Sequence, residues 1–215
     1  MISRRGTVYA PSSGKNVLSV GSVFNKYPDN LFRAPFSCEG PTSDNRIKPD
    51  IMAPGVSIHS AASNGANEPS CRVVEKSGTS MSTPIVAGTS LLLAQYLEEG
   101  YYPSGLPREE DGFIPKAATL KAMIIHSGVA LRGDGSFPFP TFYEGTIPDN
   151  KQGFGRMDIN RVLYWRNESS INLMIQETEL NKTISTLSFI LSINISFITV
   201  VREWFLHHTL KLLLK

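Results

Sequence analysis

Five hydroxyl side chains fall within the seven residues Ser77-Gly78-Thr79-Ser80-Met81-Ser82-Thr83, and Pro84-Ile85-Val86-Ala87-Gly88 then opens an apolar run. Small hydroxylated residues passing straight into a helix make a seat for an alcohol nucleophile. A serine in the first turn directs its hydroxyl away from the packed side of the helix, while the first backbone N–H groups have no intrahelical acceptor. An oxyanion formed beside Ser80 would accept a hydrogen bond from the Ser80 N–H and sit at the positive end of the helix dipole. The chemistry expected of this junction is acyl transfer, with the serine oxygen attacking a carbonyl carbon.

The order Gly78-Thr79-Ser80-Met81-Ser82-Thr83-Pro84 closely resembles the nucleophile motif of the subtilisin-like serine proteases, the subtilases. A second stretch, Lys48-Pro49-Asp50-Ile51-Met52-Ala53-Pro54-Gly55, is similar to another subtilase signature, in which the aspartate is structural. The run Gln152-Gly153-Phe154-Gly155-Arg156-Met157-Asp158 resembles the glycine-rich element that precedes a closing helix in that family. The resemblance implies an α/β fold with a parallel sheet flanked by helices, Ser80 as the catalytic nucleophile, peptide or protein substrates, and no cofactor or metal in the reaction. It fades near Trp165. Residues 1–165 are thus expected to form the C-terminal part of a subtilase catalytic domain, with a sheet incomplete on its N-terminal side.

Hydrolysis by a serine also requires a base, an acid to orient it, and oxyanion donors. In subtilases the acid and the base precede the serine, and here only His59, Asp29, Asp44 and Asp50 do so. None has the family's surroundings, Asp-x-Gly for the acid and His-Gly-Thr for the base, and no Ala-Ala-Gly-Asn type stretch for the oxyanion asparagine precedes Arg5. His59 follows Ile58 on an expected strand and alternates away from it. His126 closes a helix. The expectation is a serine endopeptidase by family, with this chain carrying the nucleophile and inactive by itself; the alternative is a truncated pseudoprotease that binds peptides. An α/β-hydrolase is excluded, because its nucleophile elbow needs Gly-x-Ser-x-Gly and Ser82 stands where the second glycine would be.

The elements that must position Ser80 follow from local chemistry. Val17, Leu18, Val20 and Val23 suit a buried strand. Pro49 and Pro54 confine Asp50 to Ala53 to an extended piece, and Gly55 permits a tight turn into a strand over Val56-Ser57-Ile58. Residues 63–77 read as a polar surface loop. A helix is expected from Ser80 to about Glu99, buried on most sides because Ile85, Val86, Ala87, Leu91, Leu92, Leu93, Ala94 and Leu97 are spread around it. Pro84 costs little in the first turn or so, and Gly100 ends the helix. Pro115 opens a second helix through about Ser127, residues 101–113 form a polar loop, and Asp158 caps a short helix from Ile159 to Tyr164.

Composition narrows the class. The 215 residues are 41% hydrophobic, enough for a real core, and 21 basic against 19 acidic residues give a net charge of +2 with no block that would suit nucleic acid. Cys38 and Cys71 allow one disulfide or two free thiols. Gly153-Phe154-Gly155 lacks the third glycine of a dinucleotide loop. Charge without a following apolar run at the start predicts no secretory leader there. The family is often secreted, lysosomal or membrane-associated, and the sequence leaves localisation open. Beyond residue 165 the composition shifts, and residues 166–215 read as an appended tail. Ile184 to Val201 is apolar at about the minimum length for a membrane span. Three sequons, at Asn167, Asn181 and Asn194, lie in this tail. A weak membrane anchor, strands of a β domain and a wrongly joined coding sequence all remain open for it.

Overall fold

The computed structural model describes residues 6–26, 29–63, 65, 71–135, 141–143, 147–167, 173–180 and 196–203. In chain order the strands and helices are β1 (Val20–Val23), β2 (Phe32–Arg33), β3 (Ile51–Pro54), β4 (Ile58–Ala61), β5 (Val73–Lys76), α1 (Thr79–Glu98) and α2 (Ala117–His126). They are followed by β6 (Gly128–Val129), β7 (Gly133–Asp134), β8 (Thr141–Phe142), β9 (Arg156–Met157), β10 (Leu173–Leu180) and β11 (Ser196–Glu203).

Seven strands form one sheet in the order β6-β9-β3-β1-β2-β7-β8. Its centre is parallel, as expected: β1 pairs β3 from Val20↔Ile51 to Val23↔Pro54, and β3 pairs β9. The remaining pairs mix directions, with β2 parallel to β7 and antiparallel contacts between β1 and β2, β6 and β9, and β7 and β8. The strand period of two sorts β3 between two cores. Ile51 and Ala53 join Val86, Leu93, Tyr96, Leu97, Met123, Ile124 and Val162 on the helical side, while Met52 meets Val23 and Leu131 on the other.

Several sequence expectations need correction. β1 starts only at Val20; Val17 is 43% exposed, while Leu18 and Val20 pack against the main core and Val23 lies in the second one. The turn after Gly55 runs through Ser57, whose φ of 56° excludes it from a strand, so β4 begins at Ile58. Within the expected loop 63–77, Val73–Lys76 pairs antiparallel with β4; two adjacent valines were its only strand signal. The closing helix shrinks to a 3-10 turn at Ile159–Arg161, with the Asp158 carboxylate accepting from Asn160 N–H at 3.3 Å.

Helix α1 has the expected length, and Gly100 with φ 71° ends it. Its burial differs from expectation. Only the stripe Ser82, Val86, Leu93, Tyr96 and Leu97 is buried, whereas Leu91 is 72% and Leu92 57% exposed. The helix packs on β1, β3 and α2, and those elements cover one side of it. Pro84 lies beyond the first turn, so the Ser80 carbonyl lacks the N–H that a non-proline residue would offer it.

Two buried ion clusters fasten the sheet. Lys48 is 2% exposed, and its Nζ lies 2.5 Å from Asp50 Oδ2, which also accepts from Ser19 N–H at 2.6 Å. Lys121 of α2 approaches the same carboxylate at 3.8 Å, so Asp50 joins β1, β3 and α2. At the other end, the Arg33 guanidinium bonds Asp134 Oδ1 at 2.5 Å and Glu39 Oε1 at 2.5 Å, and donates to Ser37 O. Tyr143 OH donates to the same Asp134 oxygen at 2.6 Å. Burial opposes ionisation of Asp134, but the hydrogen bonds from Arg33 and Tyr143 prevail and hold its carboxyl below the usual range.

Cys38 and Cys71 are both free and exposed. Leu173 and Ile175 of β10 pack against the main core, and Ile175 N–H donates to Tyr102 OH at 2.9 Å. β10 pairs in parallel with β11. Of the apolar stretch 184–201, residues 184–195 lie outside the described residues, as do Asn181 and Asn194; among the described residues no helix is long and apolar enough to cross a membrane.

Candidate active site

The turn that carries Ser80 is hung from the carboxyl ends of the two central strands. Gly55 N–H donates to Val23 O at 3.0 Å, and Gly78 N–H donates to Gly55 O at 2.7 Å. Gly78 has φ 153°, a conformation that side chains rarely adopt, and it turns the chain from β5 into α1. The approach is close enough that a Cβ on Gly55 would stand 2.2 Å from Ser82 Oγ, 2.4 Å from Ser22 Oγ and 2.7 Å from Gly78 O.

Ser80 is exposed at this turn, and its hydroxyl has no hydrogen-bond partner among the described residues. Ser77 Oγ accepts from Ser57 N–H at 2.8 Å, and Thr83 Oγ1 donates to Thr79 O at 3.0 Å. Ser82 is fully buried, its oxygen unpaired among the described residues. Ser80 is exposed in the first turn of α1. Met81 N–H already bonds Gly78 O at 3.0 Å, whereas the Ser80 N–H precedes any intrahelical acceptor. The Ser80 hydroxyl and the positive end of the α1 dipole thus lie together at the start of the helix.

No acid–base partner reaches that oxygen among the described residues. His59 is exposed on β4, with Nε2 3.4 Å from Glu75 Oε2 across the β4–β5 ribbon. His126 closes α2 and is half-buried; burial, followed by the nearby Arg161 charge, holds its pKa below 6.5. Asp50 is committed to Lys48 and Ser19. Asp44 is bound by Arg46 and Thr42, whose hydrogen bonds lower its pKa to about 2. The side chain of Asp29 lies outside the described residues. No group of three His, Cys, Asp or Glu side chains that could hold a metal occurs among the described residues.

The support around the turn was harder to foresee. Asn25 Nδ2 donates to Ser57 O at 3.1 Å, and Asn25 and Ser57 line a small cleft with Phe24, Lys26 and Val56. The only local hint was the Asn25-Lys26 pair directly after an apolar strand.

Comparison with known proteins places this site in a family. The Subtilase family model, peptidase S8, matches residues 2–155. The chain is 36% identical over 171 residues to the serine protease/ABC transporter B family protein tagD of Dictyostelium discoideum, covering 68% of this chain and 9% of that protein. It is 38% identical over 146 residues to tagB of the same organism, covering 60% of this chain and 8% of that one. Serine protease AprX of Bacillus subtilis is 38% identical over 100 residues, 41% of this chain and 23% of AprX. Among solved structures, the Clostridium perfringens CspB protease is similar at 25% identity and a TM-score of 0.47, covering 72% of this chain and 28% of CspB. The chain therefore spans about a tenth of the Dictyostelium relatives that it matches. The chain belongs to the subtilase family of serine proteases.

Proposed function

We propose that this chain carries the nucleophile of a serine endopeptidase, with Ser80 forming the acyl-enzyme. The observation that supports this most is the exposed, unpartnered Ser80 in the first turn of α1, inside the family's nucleophile motif. Ser80 Oγ attacks the scissile carbonyl, and its proton passes to a general base. The oxyanion accepts from Ser80 N–H, the C–N bond breaks, and the amine leaves with the proton that the base returns. Water then releases the acyl group by the same route.

The base and its orienting acid are supplied by polypeptide other than the described residues. That polypeptide packs on the open face of α1, where Pro84, Ala87, Gly88, Leu91 and Leu92 continue outward from Ser80 and are exposed. Residues 1–165 act as the C-terminal part of the catalytic domain, and peptides or proteins are the substrates.

Fluorophosphonate labelling tests this reading. The chain alone is expected to label slowly and to hydrolyse no peptide. Joined to a polypeptide that supplies acid and base, it labels quickly and cleaves, and Ser80→Ala removes both, a loss on the order of 10⁶ in turnover for a triad nucleophile. Fast labelling of the isolated chain would refute the need for an outside base. A completed chain that binds peptides without cutting them would establish the pseudoprotease alternative.

A further inference from the structure

Two parallel chains of hydrogen bonds run from the end of β1, across the turn after β3, to the start of α1. The inner chain is backbone alone: Gly55 N–H to Val23 O, then Gly78 N–H to Gly55 O. The outer one, two residues further along after β1 and after β3 and one residue earlier before α1, uses side chains. Asn25 Nδ2 donates to Ser57 O at 3.1 Å, and Ser57 N–H donates to Ser77 Oγ at 2.8 Å. Ser57 sits between them with φ 56°, a left-handed conformation uncommon outside glycine. The Asn25 and Ser77 bonds hold both of its backbone polar groups. Ser77 in turn is covalently next to Gly78, the hinge of the nucleophile turn.

We infer that Asn25 and Ser77 are positioning residues for the nucleophile: through Ser57 they fix the backbone that sets the direction of the first free amides of α1 beside the Ser80 hydroxyl, where the oxyanion forms. The inner chain ties this segment to the turn after β3 through the Gly78 N–H alone, and the Ser77 bond adds a second attachment at the adjacent residue. The function of the pair is orientation; neither side chain touches a reacting atom. This inference rests on Ser80 being the nucleophile, and its test separates the two.

A thiol at position 80 reports the local field without needing a base. The full chain is prepared with Ser80→Cys, Cys38→Ser and Cys71→Ser, and alkylation by iodoacetamide is followed across pH. A cysteine held at a helix N-terminus has a depressed pKa, expected here at or below about 7.5 against about 8.5 for a free thiol. Adding Asn25→Ala or Ser77→Ala is expected to return the profile toward the free-thiol value and to lower the rate at pH 7 by about fivefold. Ser77→Thr, which keeps the hydroxyl, restores it. Circular dichroism and urea midpoints of the same variants distinguish loss of aim from loss of fold, and amide exchange at Ser57 should quicken in Ser77→Ala. An ordinary thiol pKa in the Ser80→Cys parent would overturn the reading of the nucleophile turn itself. A depressed pKa unchanged by both alanine variants, or lost only together with the fold, would overturn the positioning role while leaving the nucleophile in place.

Discussion

The two sides of α1 have similar composition and opposite surroundings. On one side Val86, Leu93, Tyr96 and Leu97 are packed against β1, β3 and α2, with Leu93 and Leu97 fully buried. On the other, Leu91 and Leu92 stand largely in solvent, in line with the exposed Ser80, Pro84, Ala87 and Gly88. A helix apolar all round is made to be covered all round. The contrast shows that one side of α1 serves the fold of this chain, while the other, on which Ser80 lies, is left open among the described residues.

Substitutions on the two faces should separate sharply. Leu97→Ala removes a fully buried side chain and is expected to cost about 2–5 kcal/mol, read from urea denaturation. Leu91→Ala should stay within about 0.5 kcal/mol; equal losses would mean that the exposed face is already covered in solution. Next in size is Gly55→Ala. Its new methyl meets Ser82 Oγ, Ser22 Oγ and Gly78 O, so about 1–3 kcal/mol of overpacking falls where the inner face meets the nucleophile turn. A variant as stable as the parent would show that the turn is looser than its spacing implies.

A smaller effect concerns solubility. Leu91→Glu with Leu92→Lys breaks the exposed apolar patch and should shift size-exclusion profiles from aggregate toward monomer at an unchanged melting temperature. The weakest expected effect comes from His126, on the helix that backs the inner face. Its folded pKa lies below 6.5, so its contribution is complete above that value and is lost as pH falls through the lower, folded one. Melting temperatures should therefore drop modestly between pH 7.5 and 5, and His126→Gln should flatten that slope.

What the sequence made legible was local. Gly100 announced the end of α1, the prolines around Asp50 announced the extended segment that becomes β3, and the family resemblance pointed to Asp50 as a structural carboxylate. What stayed hidden depended on distant partners. Nothing near Ser57 signals a left-handed residue, because that conformation is held by Asn25 and Ser77, 32 and 20 positions away. β5 escaped notice because a four-residue strand with charged neighbours resembles a loop until β4 pairs with it. Which face of α1 is left open could not be read from the helix itself, since hydrophobicity reports what a helix is suited to and not what is there to meet it.

The bond between Arg33 and Asp134 spans 101 residues, and both side chains are buried. A guanidinium withdrawn from water without a carboxylate is strongly unfavourable; Glu39 offers one from nearby in the chain, and Asp134 completes the set only when β7 joins β2. During synthesis that edge must wait for most of the polypeptide to emerge, while β1, β3 and α1, whose pairings close over shorter spans, can assemble first. Closure of the Arg33–Asp134 contact is thus expected late in folding, after the shorter-range pairings.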